Sequence, residues 1–109
     1  MTYSVLMTGA AKRDLEELCT WIAEHDSPGK AEYVLDQLDE VVKSLASLPG
    51  RGTHPKELPH GTKEDIRQAF FKPYRVIYQV TNEHIVIHLI ADGRRNLQSL
   101  LLRRLQTPN

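Results

Sequence analysis

The arginines of this chain gather where a buried strand should end. In HIVIHLIADGRRNLQSLLLRRL, residues 84–105, an apolar run breaks at Asp92-Gly93 and presents Arg94 and Arg95. It then passes into a leucine-rich segment carrying Arg103 and Arg104. A guanidinium is a planar, permanently charged fork that suits carboxylates and phosphates equally. Arg75 in FFKPYRVIYQV and Arg67 in DIRQAFF add two more such groups upstream. The chemistry these residues offer is capture of an anionic partner. Arg103 and Arg104 have a second use, since cations in the last turn of a helix complement its dipole by about 0.3–1 kcal/mol.

Breaking a phosphodiester without a metal needs more than cations. It needs a base for the attacking hydroxyl and an acid for the leaving oxygen. His88 is the residue that could move a proton there, beside Arg75 and Arg94, because imidazole titrates near neutrality. Between Val86 and Ile90 it also reads, more simply, as a half-buried strand histidine. His54 and His60 lie in a stretch rich in proline and glycine with no third ligand at a metal-like spacing. Loop polarity accounts for them, and no metal or cofactor is expected. His25 falls in a helix-ending turn and His84 in a hairpin. Cys19, the single cysteine, sits at an apolar helical position and reads as packing, in keeping with a reducing cytoplasm.

The elements that must position these residues follow from periodicity and punctuation. YSVLMT (3–8) has the make-up of a short strand, and Thr8 suits the N-cap of a helix whose apolar positions are Ala11, Leu15, Leu18, Cys19 and Ile22. HDSPG stops that helix. Ser27-Pro28 starts another, with Val34, Leu38, Val41, Val42, Leu45 and Leu48 on one stripe until Pro49-Gly50. So short a connection predicts an antiparallel helix hairpin, with Trp21 and Tyr33 as packing residues within it. Residues 49–64 read as a long loop. Three strands are predicted at 65–71, 74–80 and 84–91, joined by turns at Lys72-Pro73 and Asn82-Glu83. The tail from Leu97 to Leu105 is an amphipathic helix. The fold class is therefore α+β, one domain over 1–109, in the order β-α-α-β-β-β-α with a mainly antiparallel sheet.

Two-residue turns fix the faces, because side chains alternate along a strand. One face would collect Ala69, Phe71, Tyr74, Val76, Tyr78, Val80, Ile85, Ile87, Leu89 and Ala91, with Arg67 at its margin. Being nearly all apolar, it must receive the helix hairpin. The other would carry Ile66, Gln68, Phe70, Arg75, Ile77, Gln79, Thr81, His84, Val86, His88, Ile90 and, by parity, Asp92, and stay open for binding. On this register Arg75 lies opposite Ile90, so that Arg75, Asp92 and Arg94 converge at one corner.

Composition bounds the rest. With 40% hydrophobic and 26% charged residues the chain reads as an ordinary globular protein. No apolar run approaches the ~20 residues that span a bilayer, and the N-terminus lacks a signal-peptide layout, so a cytoplasmic protein without membrane partners is expected. The formal charge is zero. It is unevenly spread: residues 1–50 hold four basic against nine acidic residues, and residues 51–109 hold ten against five. The basic half is the side expected to meet an acidic partner.

The chain resembles the RelE/ParE superfamily of bacterial toxins over nearly its whole length. The resemblance is carried by AAKRDLEELCTWIAEHDSPGKAEYVLDQL, by the loop with PKEL, by FFKPYRVIYQV and by IADGRRNLQSLLLRRL, and in detail it is closer to the ParE branch. It implies a toxin of a type II toxin–antitoxin operon, held inactive in a hetero-oligomer by a cognate antitoxin. ParE-like members poison DNA gyrase. RelE-like members cut mRNA on the ribosome without a metal, using lysines, arginines and a tyrosine or histidine. Of those, Arg75 matches the arginine of the Tyr-Arg pair and Arg94 or Arg95 that of the glycine-arginine turn. Gln68, Ala69 and Phe70 fill the strand where lysines would stand, and Asp92 occupies a position where many relatives have histidine. The expectation is a gyrase-binding, non-enzymatic toxin. Its binding residues would be Arg67, Phe70, Arg75 and Asp92, with Arg94, Arg95, Arg103 and Arg104. The alternative is a ribosome-dependent endoribonuclease using Arg75, His88 and Arg94.

Overall fold

A computed structural model describes residues 2–106. Its elements are β1 (Ser4–Met7), α1 (Gly9–His25), α2 (Pro28–Ser44), β2 (Asp65–Phe71), β3 (Tyr74–Val80), β4 (His84–Asp92) and α3 (Gln98–Gln106). Both long helices begin where their capping residues dictate. The Thr8 hydroxyl accepts the Ala11 amide at 3.1 Å, and the Ser27 hydroxyl accepts that of Lys30 at 3.0 Å. Pro28 fills the first turn of α2, where no amide hydrogen is required.

The sheet has the order β1-β4-β3-β2, with β1 parallel to β4 and the remaining pairs antiparallel. The helix hairpin covers one face. Ala11, Ile22, Val34 and Leu38 pack there on Val76, Tyr78, Ile85 and Ile87. Burying side chains of this size stabilises the fold by roughly 1.5–3 kcal/mol each. Phe71 stands opposite Tyr74, as a two-residue turn requires.

The register departs from simple alternation at one place. Ile77 pairs with Leu89 but Tyr78 pairs with Ile87, so His88 is an extra residue in β4, a bulge. Everything beyond it changes face. Leu89 and Ala91, expected under the helices, lie on the opposite side with Ile77 and Ile66, while Ile90 joins the helix-side core. Arg75 accordingly faces Ala91 rather than Ile90, and Asp92 pairs with Tyr74.

The second face is not open. Leu97 and Leu101 of the C-terminal segment bury Ile66, Ile77, Leu89 and Ala91, with Leu58 of the long loop alongside. That loop is pinned by named bonds. The Tyr78 hydroxyl donates to Pro49 O at 2.8 Å and accepts from Gly52 N at 3.1 Å. Thr53 bridges to Gln68, and His54 Nδ1 lies 2.8 Å from Ile66 O. Gly52 is required here, because a Cβ would sit 2.6 Å from the Tyr78 oxygen.

Pairing with β1 stops at Met7 and Ile87, and β4 runs on to Asp92. Side chains occupy the edge that this leaves. Asp14 of α1 accepts the Ile90 amide at 3.1 Å, and Arg104 of α3 donates to His88 O at 2.9 Å. The two side chains also bond each other at 2.8 and 2.7 Å, tying α1 to α3 across the bulge. Among the described residues no helix is long and apolar enough to cross a membrane.

Candidate partner-binding site

Arg75 heads the sequence candidates, and it is buried. Its Nη1 and Nη2 donate to the two carboxylate oxygens of Glu57 at 2.6 and 2.8 Å. Its Nε and Nη2 donate to Gln68 Oε1. The side chains of Arg75 and Glu57 are 7% and 9% exposed. The hydrogen-bonded guanidinium holds the Glu57 carboxyl below the usual range for glutamate. Above the pair lies Gly93, where a Cβ would come within 2.8 Å of Arg75 side-chain carbons. The glycine of the Gly-Arg-Arg turn is thus explained by close packing.

Arg94 goes elsewhere. It closes on Asp92, Nε to Oδ1 at 2.9 Å and Nη2 to Oδ2 at 2.6 Å, while its backbone amide caps the same carboxylate. Those bonds hold the Asp92 carboxyl below its ordinary range. The corner expected to unite Arg75, Asp92 and Arg94 is divided, because the bulge turns Asp92 to the helix side. Arg67 bonds Asp65 Oδ1 at 3.0 Å and Gly52 O at 3.1 Å, a role in holding the loop. Phe70 remains exposed beside Arg75.

His88 is separate again. Its Nε2 lies 3.0 Å from Gln79 Oε1, and burial, then the neighbouring Arg104, push its pKa down, which favours the neutral ring. It lines a concavity with Arg103 and Arg104, apart from Arg75. Arg104 serves more than the helix dipole, since Asp14 engages it in two bonds. Among the described residues no group of three His, Cys, Asp or Glu is placed to hold a metal.

A groove that sequence reasoning missed lies between α1 and the end of β4. Its volume is about 340 Å³, and Leu18, Trp21, Tyr74, Asp92, Arg94 and Arg95 are among the residues lining it. Trp21 was expected to pack in the hairpin. Instead it is 58% exposed, stacked on His25 at 4.3 Å between ring centres, with His25 Nδ1 2.9 Å from the Trp21 carbonyl. Tyr33 is likewise half exposed, edge-on to Phe71. The groove joins aromatic and apolar side chains to a rim that mixes Arg94 and Arg95 with the carboxylates of Asp14, Glu17 and Asp92, a combination that suits a protein partner with an apolar anchor and polar flanks. Glu57 and Asp14 were invisible beforehand as partners, because each meets its arginine only through the tertiary fold.

Comparison with known proteins places this geometry. The model for the ParE toxin of type II toxin–antitoxin systems, parDE, matches residues 5–97. The chain belongs to the ParE toxin family. A curated relative, toxin ParE3 of Caulobacter vibrioides, is 29% identical over 97 residues, covering 89% of this chain and 93% of that one. The fold is shared with the chromosomal ParDE toxin–antitoxin system of P. aeruginosa, at a TM-score of 0.69 and 23% identity, over 84% of this chain and 96% of that one. It is also shared with the RelBE2 toxin–antitoxin complex of Mycobacterium tuberculosis, at a TM-score of 0.60 and 23% identity, over 84% and 99%. This ParE-family chain is accordingly the toxin component of a type II system, and a cognate antitoxin is its partner.

Proposed function

We propose that this ParE-family toxin arrests growth by binding and poisoning DNA gyrase in the cytoplasm, without catalysing a reaction itself, and that the antitoxin silences it in a hetero-oligomeric complex. One observation carries the choice: the Arg75 guanidinium is spent on Glu57 and Gln68 inside the protein. A nuclease would need that cation free for phosphate, with a base and an acid beside it. His88, the other member of the endoribonuclease reading, lies in a different environment and is tied to Gln79. The binding reading instead uses what is exposed: the Arg94 side chain, 76% accessible, with Arg95 and the Trp21 groove beneath.

Induction in a host lacking the antitoxin separates the readings. Gyrase poisoning predicts chromosomal breaks and the DNA-damage response before any change in mRNA ends. New mRNA ends that precede breakage would mean ribosome-dependent cleavage and would remove the proposal. Replacing both Arg94 and Arg95 by Gln should relieve the growth arrest while lowering the melting temperature only slightly, because the Arg94–Asp92 pair that is lost is exposed.

A further inference from the structure

We infer that β1 is a self-docking edge: two copies of this chain pair through it, antiparallel, about a twofold axis that passes between their Leu6 residues. β1 is the outermost strand, with β4 as its neighbour on one side. In that parallel ladder Ser4 N donates to Glu83 O and Thr8 N to Ile87 O. Both amides therefore point toward β4, and by alternation so does that of Leu6. Val5 and Met7 direct their amides and carbonyls to the opposite side. Tyr3, of the same alternating set, donates outward to Ala46 O at 2.8 Å. Among the described residues nothing bonds the backbone of Val5 or Met7 on that side.

The side chains suit a partner there. Val5 and Met7 pack on the helix-side core. Leu6 points to the other face and is 49% exposed, paired with half-buried Val86 of β4. Proteins ordinarily guard an edge strand with lysine, proline or a bulge. β1 has none of these: its pairing with β4 is regular, and residues 1–11 contain no charged side chain and no proline. Shortness is its one guard, so the association is reversible and weak.

Geometry favours a second copy over a foreign strand. With Leu6 on the axis, Val5 of each copy faces Met7 of the other, and each such pair exchanges both of its backbone bonds. The two Leu6 residues form the intervening non-hydrogen-bonded pair, where side chains stand closest and Cα atoms are about 4.5 Å apart. One operation thus satisfies the outward groups of Val5 and Met7 and covers both exposed leucines. It also sets the start of one β1, next to Glu83, beside the end of the other, where Lys12 and Arg13 follow. Unlike charges share each end of the ladder, and a formal charge of zero leaves no overall repulsion between copies. An acidic segment of another protein would find no cation along the strand itself. This inference goes beyond the gyrase reading, and the failure of either leaves the other intact.

The test is sedimentation equilibrium of the purified full chain, without antitoxin, over a concentration series up to ~1 mM. A reversible monomer–dimer equilibrium is expected, and hydrogen exchange at the Val5 and Met7 amides should slow as concentration rises. Leu6→Lys sets like charges opposite each other and should raise the dissociation constant at least ~10-fold. Val5→Pro removes an outward amide that the β1–β4 ladder does not use, and should weaken the dimer at least as much. The Leu6 variants alter an exposed side chain and keep the test decisive if proline disturbs folding. In a Cys19→Ser background, Leu6→Cys should cross-link the dimer under mild oxidation, because the pair lies within disulfide reach. Ser4→Cys, two residues off the axis, should not. A chain that stays monomeric throughout overturns the proposal, as does a dimer indifferent to Leu6→Lys or one that Ser4→Cys cross-links as readily. Protection of the Val5 and Met7 amides only when antitoxin is added would assign the edge to that partner instead.

Discussion

Each nitrogen of the Arg75 guanidinium donates a hydrogen bond within the protein, and the Glu57 carboxylate that receives two of them is as buried as its partner. Taking one member from such a pair leaves an uncompensated charge inside the fold. Arg75→Ala should therefore destabilise by about 3–5 kcal/mol, read by urea unfolding at neutral pH. Glu57→Gln should destabilise less, because the amide still accepts one hydrogen bond. The pH dependence has a definite sign. The folded-state pKa of Glu57 is depressed, so its contribution is complete above the ordinary glutamate range near ~4.3 and disappears as pH falls from there through the depressed value. The stability gap between wild type and Glu57→Gln should narrow across that acidic window. A gap constant from neutral pH down to pH ~3 would show that Glu57 is not held as a carboxylate by Arg75. Gly93→Ala should also destabilise, by about 1–3 kcal/mol, because its Cβ would overlap Arg75 side-chain carbons.

At the scale of elements, the last part of β4 shows what could and could not be read from the chain. Thr8, Ser27-Pro28 and the Lys72-Pro73 turn act locally, and they start the helices and the first hairpin where the sequence predicts. The bulge at His88 does not announce itself. Leu89, Ile90 and Ala91 are all apolar, so either parity gives a plausible buried strand, and the wrong one leaves the second sheet face open. The candidate site inherits the error, since Asp92 and Arg94 follow the parity to the helix side. What stabilises the bulge is a contact between residues 90 positions apart, Asp14 and Arg104, which no local pattern encodes. Removing it should have a local signature. Asp14→Ala strips the Ile90 amide of its acceptor and frees Arg104. We expect faster hydrogen exchange at Ile90 and through α3, with a loss of about 1.5–3 kcal/mol, as is typical of bonds to charged groups. Unchanged exchange at Ile90 would contradict the assigned role.

Across the whole molecule, the uneven charge of the sequence is resolved into separate surfaces. Of the ten cations in the basic half, Arg67, Arg75 and Arg104 are engaged within the fold by carboxylates, and Arg94 is paired with Asp92 at the surface. Arg94 and Arg95 edge a groove with an exposed tryptophan, and Arg103 lies at the far end of α3 beside Arg13. On the proposed reading the exposed arginines do the binding, while Arg75, which the nuclease reading requires, fastens the toxin's own loop through Glu57. The most direct measurement is gyrase with relaxed plasmid and ATP, titrated with the purified toxin. The account predicts that supercoiling stops and linear, protein-linked plasmid accumulates, and that Arg94→Gln/Arg95→Gln shifts the response to higher toxin concentration. Full supercoiling at toxin excess, with no cleaved plasmid, would contradict it.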